Sequence, residues 1–423
     1  MTVRRAPLVL RARVVLPIRR PPIQDGAVVV SGARVTSVGA WAQLRPRAAG
    51  RTLDLGDVAL LPGLVNAHCH LDYTGMAGVF PPPRSFCDWL KCIKAEKADW
   101  EEADFVKSWL DGAQMLVRSG TTTVGDVEAL PQLLTRIWPA TPLRVCSFLE
   151  LIGIRGERDP AAIVEAALAV IRQLPADRCQ AHLSPHAPYS TRPQLLRLTA
   201  QAARKHQLRL TTHLAESATE FEMFLHGRGE MFDWLQRGER DMSDCGQLSP
   251  VQHAARATLL GRNCLAIHVN YLAPGDADLL ARRGTSVVHC PRSHAYFRHA
   301  EFPRRRLAKA GVNVCLGTDS LASVRCRAGQ KVELSLFDEL RAFTTAHPGV
   351  RPSALLEMVT CNGAHALGLA SQAGELSKGA FADLITVPFT GPAREAATAV
   401  VHHRGPVSAS MIAGEWVLPP ARS

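Results

Sequence analysis

Residues 61–72 read LPGLVNAHCHLD, a short apolar run that ends in His68, Cys69 and His70. The same device recurs down the chain: a few apolar residues, then a polar tip. It is found in TTTVGDV (121–127), RVCSFLE (144–150), CQAHLSPH (179–186), LRLTTHL (208–214), CLAIHVN (264–270), TSVVHC (285–290) and VNVCLGTD (312–319). With LLPGLVNAH these make eight strands. Amphipathic stretches separate most of them: PAAIVEAALAVIRQL, PQLLRLTAQAARKH, ATEFEMFLHGRGEMFDWLQ, PGDADLLARRG and RRRLAKAG. Several open after Pro or near Ser, Thr or Asp and stop at Gly, as helix ends prefer. Strands alternating with helices predict an α/β chain with a parallel sheet, and eight units over about 260 residues match a (β/α)8 barrel.

The two ends have a different texture. VVLPI, GAVVVSGARVTSVGA and RTLDLGDVALLPG at the start, and GAFADLITVPF, TAVVHHRG and SASMIAGEWVLP at the end, are valine-rich strands punctuated by glycine. The expected organisation is therefore residues 1–57 plus 378–423 as one small β domain and 58–377 as the barrel.

In a parallel barrel every strand C-terminus opens on the same face, where active sites are built. That rule brings His68, Glu150, His186, His213, His268, His289 and Asp319 toward one mouth. Alternation along a strand points His68 and His70 to the same side. An H-x-H pair taken alone describes ordinary hydrogen-bonded histidines equally well. His213, alone, would equally be a satisfied core residue. Three positions on, Glu216 stands just past the strand tip, where a general acid/base is needed; a carboxylate there also suits a helix N-terminus. Asp319 follows an apolar run and would be costly to bury without a positive partner, which a divalent ion supplies. Histidines on the first, fifth and sixth strands (His268 on the sixth) together with Asp319 predict a metal centre. The ligand types accept zinc, iron or nickel. Four protein ligands would close a tetrahedral site, so five-coordinate geometry with a water is expected.

Composition narrows the class. With 47% hydrophobic and 21% charged residues the chain reads as globular, and 423 residues need no structural metal or disulfide for stability. A metal would therefore serve chemistry. The net charge of +11 is scattered, with Arg304, Arg305 and Arg306 its longest run. No basic stripe is interleaved with aromatics, so no specific nucleic-acid partner is expected. The eleven cysteines form no C-x-x-C pair, and Cys146, Cys264 and Cys315 lie in apolar runs, which fits a reduced, cytoplasmic setting. Arg11 and Arg13 interrupt the apolar N-terminus MTVRRAPLVLRARVVLPI, which reads as a strand rather than a signal peptide. No run of 18 apolar residues is present to span a membrane.

LPGLVNAHCHLD, HLAES, LAIHVNYL, VVHCPRSH and LGTDSLAS, in that order, resemble the amidohydrolase superfamily, and within it the mononuclear aminohydrolases and s-triazine hydrolases. The likeness runs from about residue 58 to 390. It implies a distorted (β/α)8 barrel with a β-sandwich built from both termini. It implies one divalent metal, most simply zinc, on His68, His70, His213 and Asp319, with Glu216 as proton shuttle and His268 at the metal's water. The fourth strand carries no lysine that could bridge a second metal. His186 in SPHAPYS is similar to a substrate-contacting histidine of nucleoside deaminases. Where many relatives have Asn after HCPRS, this chain has His294, expected to line the substrate pocket; its ring would still donate a hydrogen bond, but the pocket's shape and pH response would differ. It is equally describable as a loop residue.

What the resemblance implies chemically is hydrolytic deamination. The metal lowers the pKa of water toward neutrality, Asp319 or His268 takes or orients its proton, and Glu216 protonates the ring nitrogen beside the carbon under attack. Trp89, in FPPPRSFCDWLKCIKAEKADW, would stack on a heteroaromatic ring, although an aromatic at helical spacing also suits a core. Glu150 would touch a polar substituent or form a structural ion pair. With several histidines and few surplus acids, the pocket is expected to suit a neutral or anionic small-molecule heteroaromatic amine. The long first loop, HLAES…HGRG and HCPRSH are similar to bacterial aminodeoxyfutalosine deaminases of an alternative menaquinone pathway. S-adenosylhomocysteine, methylthioadenosine and adenosine are the neighbouring substrates. Chlorohydrolase, guanine or pterin deaminase, cyclic-amide hydrolase and silent-scaffold readings stay open, and relatives commonly form homodimers.

Overall fold

The computed structural model describes residues 6–47, 50–156, 158–175, 177–326 and 331–421; the first five residues of the N-terminal stretch read above as a strand lie outside them. All eight expected barrel strands are present: β1 (Leu64–Cys69), β2 (Thr121–Glu128), β3 (Arg144–Leu151), β4 (Gln180–Pro185), β5 (Leu210–Leu214), β6 (Cys264–His268), β7 (Ser286–His289) and β8 (Val314–Leu316). They pair in sequence order, all parallel. β8 returns to β1 through a bridge between Cys69 and Asp319. There the N–H groups of Thr318 and Asp319 donate to His68 O at 3.0 and 3.2 Å, and His70 N–H donates to Asp319 O at 3.1 Å. The closure needs Gly317, because a Cβ there would stand 2.7 Å from the His68 carbonyl oxygen.

Side chains alternate between two cores. Leu64, Val124, Val145, Leu183, Leu210, Cys264, Val287 and Leu316 face the surrounding helices. Val65, Ala67, Phe148, Leu265, Ile267, Val288 and Cys315 fill the barrel with Leu367 and Leu369, which follow a short helix, Cys361–Ala366. Asp159 caps the helix Pro160–Gln173 by accepting from Ala161 N–H, and Pro193 opens Pro193–Lys205, as the sequence signals indicate. The stretch ATEFEMFLHGRGEMFDWLQ, read as one helix, is two: Ala218–His226 and Glu230–Arg237. Gly227 (φ 64°) and Gly229 (φ 100°) adopt the left-handed backbone that glycine tolerates, and the helix stops there. Residues 80–100, the segment that carries Trp89, contain the helix Phe86–Ala98, capped by Ser85.

The chain ends build one mixed, eight-stranded sheet. Its path runs Glu415–Leu418, Ala409–Ile412, Leu384–Pro388, Val58–Pro62, Leu8–Val15, Ile23–Ser31 and Arg34–Ala40, with Arg51–Asp54 also pairing to Leu8–Val15. Val58–Pro62, which the sequence reading placed at the start of the barrel, belongs to this sheet: Leu60 pairs with both Val15 and Thr386. Gly63 is where the chain leaves it. Leu10, Val28, Leu60, Leu384 and Met411 form the sheet's own core.

One buried ion pair joins the sheet to the barrel. Arg144 on β3 reaches Asp383 at 2.6 Å and stacks on Phe381, while Asp383 also accepts Ala413 N–H at 2.7 Å. Removing one member strands the other without water. Asp383→Ala is expected to cost about 3–5 kcal/mol, read as a lower urea midpoint; an unchanged midpoint would show that the joint carries no stability. Among the described residues no helix is long and apolar enough to cross a membrane.

Candidate active site

Simple alternation does not explain the orientation of the key histidines. On β1, Asn66 pairs with Val124 and Cys69 with Asp126, so two residues, Ala67 and His68, occupy the space of one. That irregularity resets the alternation. Cys69 joins the outer core, and His68 and His70 turn into the mouth. β5 needs no such device: His213 pairs with Ile267, whose side chain fills the barrel. His268 is next after Ile267 and would point outward, but its φ of 72° swings it back. Ala215 (φ 50°), Val269 (φ 48°) and Asp319 (φ 53°) share this backbone, each at a cost of about 1–3 kcal/mol that the surrounding structure must offset.

The result is a compact set of donors. His70 Nε2 and His213 Nε2 are 3.2 Å apart, and Asp319 Oδ1 lies 3.6 Å from His68 Nε2 and 3.9 Å from His70 Nε2. His68, His213 and His268 offer nitrogens within 4.8 Å of one another, and so do the ligand atoms of His68, His70 and Asp319. All of these side chains are buried. Burial, reinforced by neighbouring imidazoles, holds the pKa of His70 and His213 well below the usual value; His268 is lowered in the same direction, chiefly by burial. Burial acts to raise the Asp319 pKa, but the close approach of the His68 ring and the charges of His268, His68 and His70 outweigh it, leaving a carboxylate.

These residues fit a divalent cation. The Nε2 atoms of His68 and His268 are buried without a hydrogen-bond partner. His213 Nδ1 lies 2.9 Å from the carbonyl of His186; it must donate there, so the lone pair of the neutral ring sits on Nε2, facing the cluster. Ser323 Oγ donates to the other oxygen of Asp319 at 3.0 Å. His68, His70, His213 and Asp319 would hold the ion, with His268 beside it.

Glu216 stands at the rim, 4% exposed, its Oε1 3.4 Å from His268 Nε2. Burial, then the charges of Asp319 and Glu220, push its carboxyl well above the usual range. His186 lies against the centre, its ring 4.8 Å from that of His213, with Nδ1 on Ser190 Oγ at 2.6 Å and Nε2 3.9 Å from Glu150.

Trp89 sits in the helix Phe86–Ala98 among Phe86 and Phe297, and its indole N–H donates to Ala322 O at 3.2 Å. His294 Nδ1 is 3.0 Å from Asn270 Oδ1. His289 does not join the centre. It has outward parity on β7 and stacks on Phe302, ring centroids 3.8 Å apart.

The expectation of few surplus acids is corrected by the structure. Asp72 and Glu128 are 3% and 1% exposed, and Lys97 acts electrostatically on both and on Glu150. Both carboxyl oxygens of Asp72 lack a partner. Burial raises the Asp72 pKa to about 7 and raises those of Glu128 and Glu150. The group adjoins the histidine–aspartate cluster through Tyr73, which stacks on His70 with centroids 5.0 Å apart and accepts from Lys97 at 3.0 Å. The sequence reading missed Asp72, although it directly follows the HCHL motif. It also missed Asn270, whose partners Glu216 and His294 lie on other elements, and Glu220, which binds the turn just before its own helix.

The fold and site define a class: (β/α)8-barrel hydrolases with a histidine–aspartate centre at the strand C-termini. The chain belongs to the amidohydrolase family, whose profile matches residues 59–417. It is 31% identical over 388 residues to a 5-methylthioadenosine/S-adenosylhomocysteine deaminase of Syntrophobacter fumaroxidans, covering 87% of this chain and 81% of that one. The structure is similar to an adenosine deaminase of Xanthomonas campestris with bound zinc (TM-score 0.82, 26% identity, 97% of this chain and 92% of that one). It shares its fold with the Helicobacter pylori aminofutalosine deaminase complexed with methylthio-coformycin (TM-score 0.86, 22% identity, 97% and 99% covered).

Proposed function

We propose that the protein is a zinc-dependent hydrolytic deaminase of purine-nucleoside-type substrates. The observation that carries the chemistry is Glu216, a buried carboxyl 3.4 Å from His268 beside a centre of imidazoles and Asp319. When bound, the cation polarises a water molecule and so supplies the nucleophile. Asp319 and His268 receive or orient the proton released as the water oxygen bonds to the ring carbon bearing the amine. Glu216 gives its proton to the adjacent ring nitrogen, which takes up the electron pair. Proton return to the amine lets the C–N bond break, leaving the oxo product and ammonia. Three histidines and one aspartate suit zinc, and the similar Xanthomonas enzyme was crystallised with it.

The nucleoside part of the reading rests on Asp72, Glu150 and His186. Carboxyl oxygens accept from hydroxyl groups, and those of Asp72 have no hydrogen-bond partner within the protein. Sugar hydroxyls match that demand, whereas a bare base such as guanine leaves it unmet. Asp72→Asn is therefore expected to raise KM for a ribonucleoside about tenfold, the scale of one hydrogen bond to a carboxyl, and to leave a 2′,3′-dideoxynucleoside unaffected. Equal losses on both substrates would remove Asp72 from recognition.

The test of function is ammonia release by metal-analysed protein from adenosine, methylthioadenosine, S-adenosylhomocysteine, aminodeoxyfutalosine, guanine and a pterin, with chloride release from a chlorotriazine alongside. Turnover of nucleosides supports the reading, with aminodeoxyfutalosine the leading single substrate. Activity confined to guanine, the pterin or the chlorotriazine overturns it.

A further inference from the structure

The main chain of Glu216 is gripped on both sides by side chains that belong to neither its strand nor the partner strand's ladder. On one side Glu220, fully buried, accepts the N–H of Glu216 at 2.8 Å and that of Ala215 at 3.0 Å. On the other, Asn270 Nδ2 donates to the Glu216 carbonyl at 2.9 Å. Asn270, 4% exposed, is itself tied by its N–H to Ala215 O at 3.0 Å. Its remaining oxygen faces His294 Nδ1 at 3.0 Å.

We propose that His294 is a positioning residue which, through Asn270, locks the backbone of Glu216 and so aims its carboxyl. This rests on the role given to Glu216 above. The reasoning starts from the two faces of an amide. Because Asn270 gives its NH2 to a carbonyl, it must turn its oxygen to His294, so Nδ1 of that ring carries the hydrogen. If the ring donor is lost, the Asn270 oxygen is left buried without a partner, and the amide loses the contact that fixes its plane against the Glu216 carbonyl. Ala215, at φ 50°, is a strained residue that stays in place only while its surroundings over-determine it. Releasing one grip therefore lets the tip of β5 relax, and Glu216 moves with it. His294, on the helix Pro291–Tyr296 after β7, thus connects the tips of β7, β6 and β5 and acts on catalysis without touching substrate.

A double-mutant cycle separates this from a general structural role. His294→Phe keeps a ring but removes the donor. It is expected to lower kcat about tenfold or more, since small misplacements of a catalytic group are costly, while KM and metal content stay near native. His294→Asn, which restores an N–H donor, is expected to recover most of the loss. In a Glu216→Gln background, His294→Phe is expected to cost nothing further. Should His294→Phe fail to fold, Asn270→Asp, isosteric but lacking the donor to Glu216, replaces it in the same cycle. Additive losses, a change confined to KM, or native kcat in the single variant would each overturn the proposal. If Glu216→Gln alone turns over at the native rate, it is the underlying reading of function that fails.

Discussion

Glu216→Gln is expected to lower kcat by about 10²-fold or more, the scale of a general acid/base, while the metal content stays native. The substitution keeps size and burial and removes one thing, a proton that can be given away. Glu216 is held 3.4 Å from His268, yet it is not needed to complete either cluster of donors. The loss should therefore fall on kcat rather than on metal affinity, and metal analysis beside steady-state kinetics checks both halves. Native turnover would remove Glu216 from the chemistry. Metal loss would make it a ligand instead.

His213→Ala is expected to do the opposite. The ring sits in contact with three of the other site imidazoles, its centroid 5.0 Å from that of His68, 5.3 Å from His70 and 5.5 Å from His268. Deleting it removes a lone pair that the His186 carbonyl has already oriented. Losing a supporting group around a metal costs roughly 10–100-fold in affinity or activity; losing the ligand itself should exceed that. Substoichiometric metal, activity near background and a Tm that no longer falls on adding chelator are the expected readings. The last follows from linkage, because a cation that binds only the folded state raises its stability. A variant that retains stoichiometric metal would show the ion to be held by a different set.

The architecture was legible because it is written in local patterns. Eight apolar runs tipped with polar residues, separated by helices that start and stop at recognisable caps, lead to a parallel barrel whatever their partners. Membership of the site was legible to the same extent, since a strand C-terminus in such a barrel has only one face to open on. His68, His70, His213, His268 and Asp319 do meet there.

Orientation was not legible. The inserted residue before Cys69 turns His68 inward, and a left-handed φ does the same for His268, while His289, at the tip of its own strand, keeps its parity and packs outward on Phe302. A one-residue shift in pairing reverses every side chain beyond it, and nothing in the local sequence announces such a shift. It is set by how β1 must meet both β2 and β8. The unpartnered carboxyl of Asp72 and the grip on Glu216 by Asn270 are likewise products of packing between distant elements. The order of residues determined which groups arrive at the mouth of the barrel. Only closure of the sheet decided which way each one faces, because that depends on register between strands far apart in the chain.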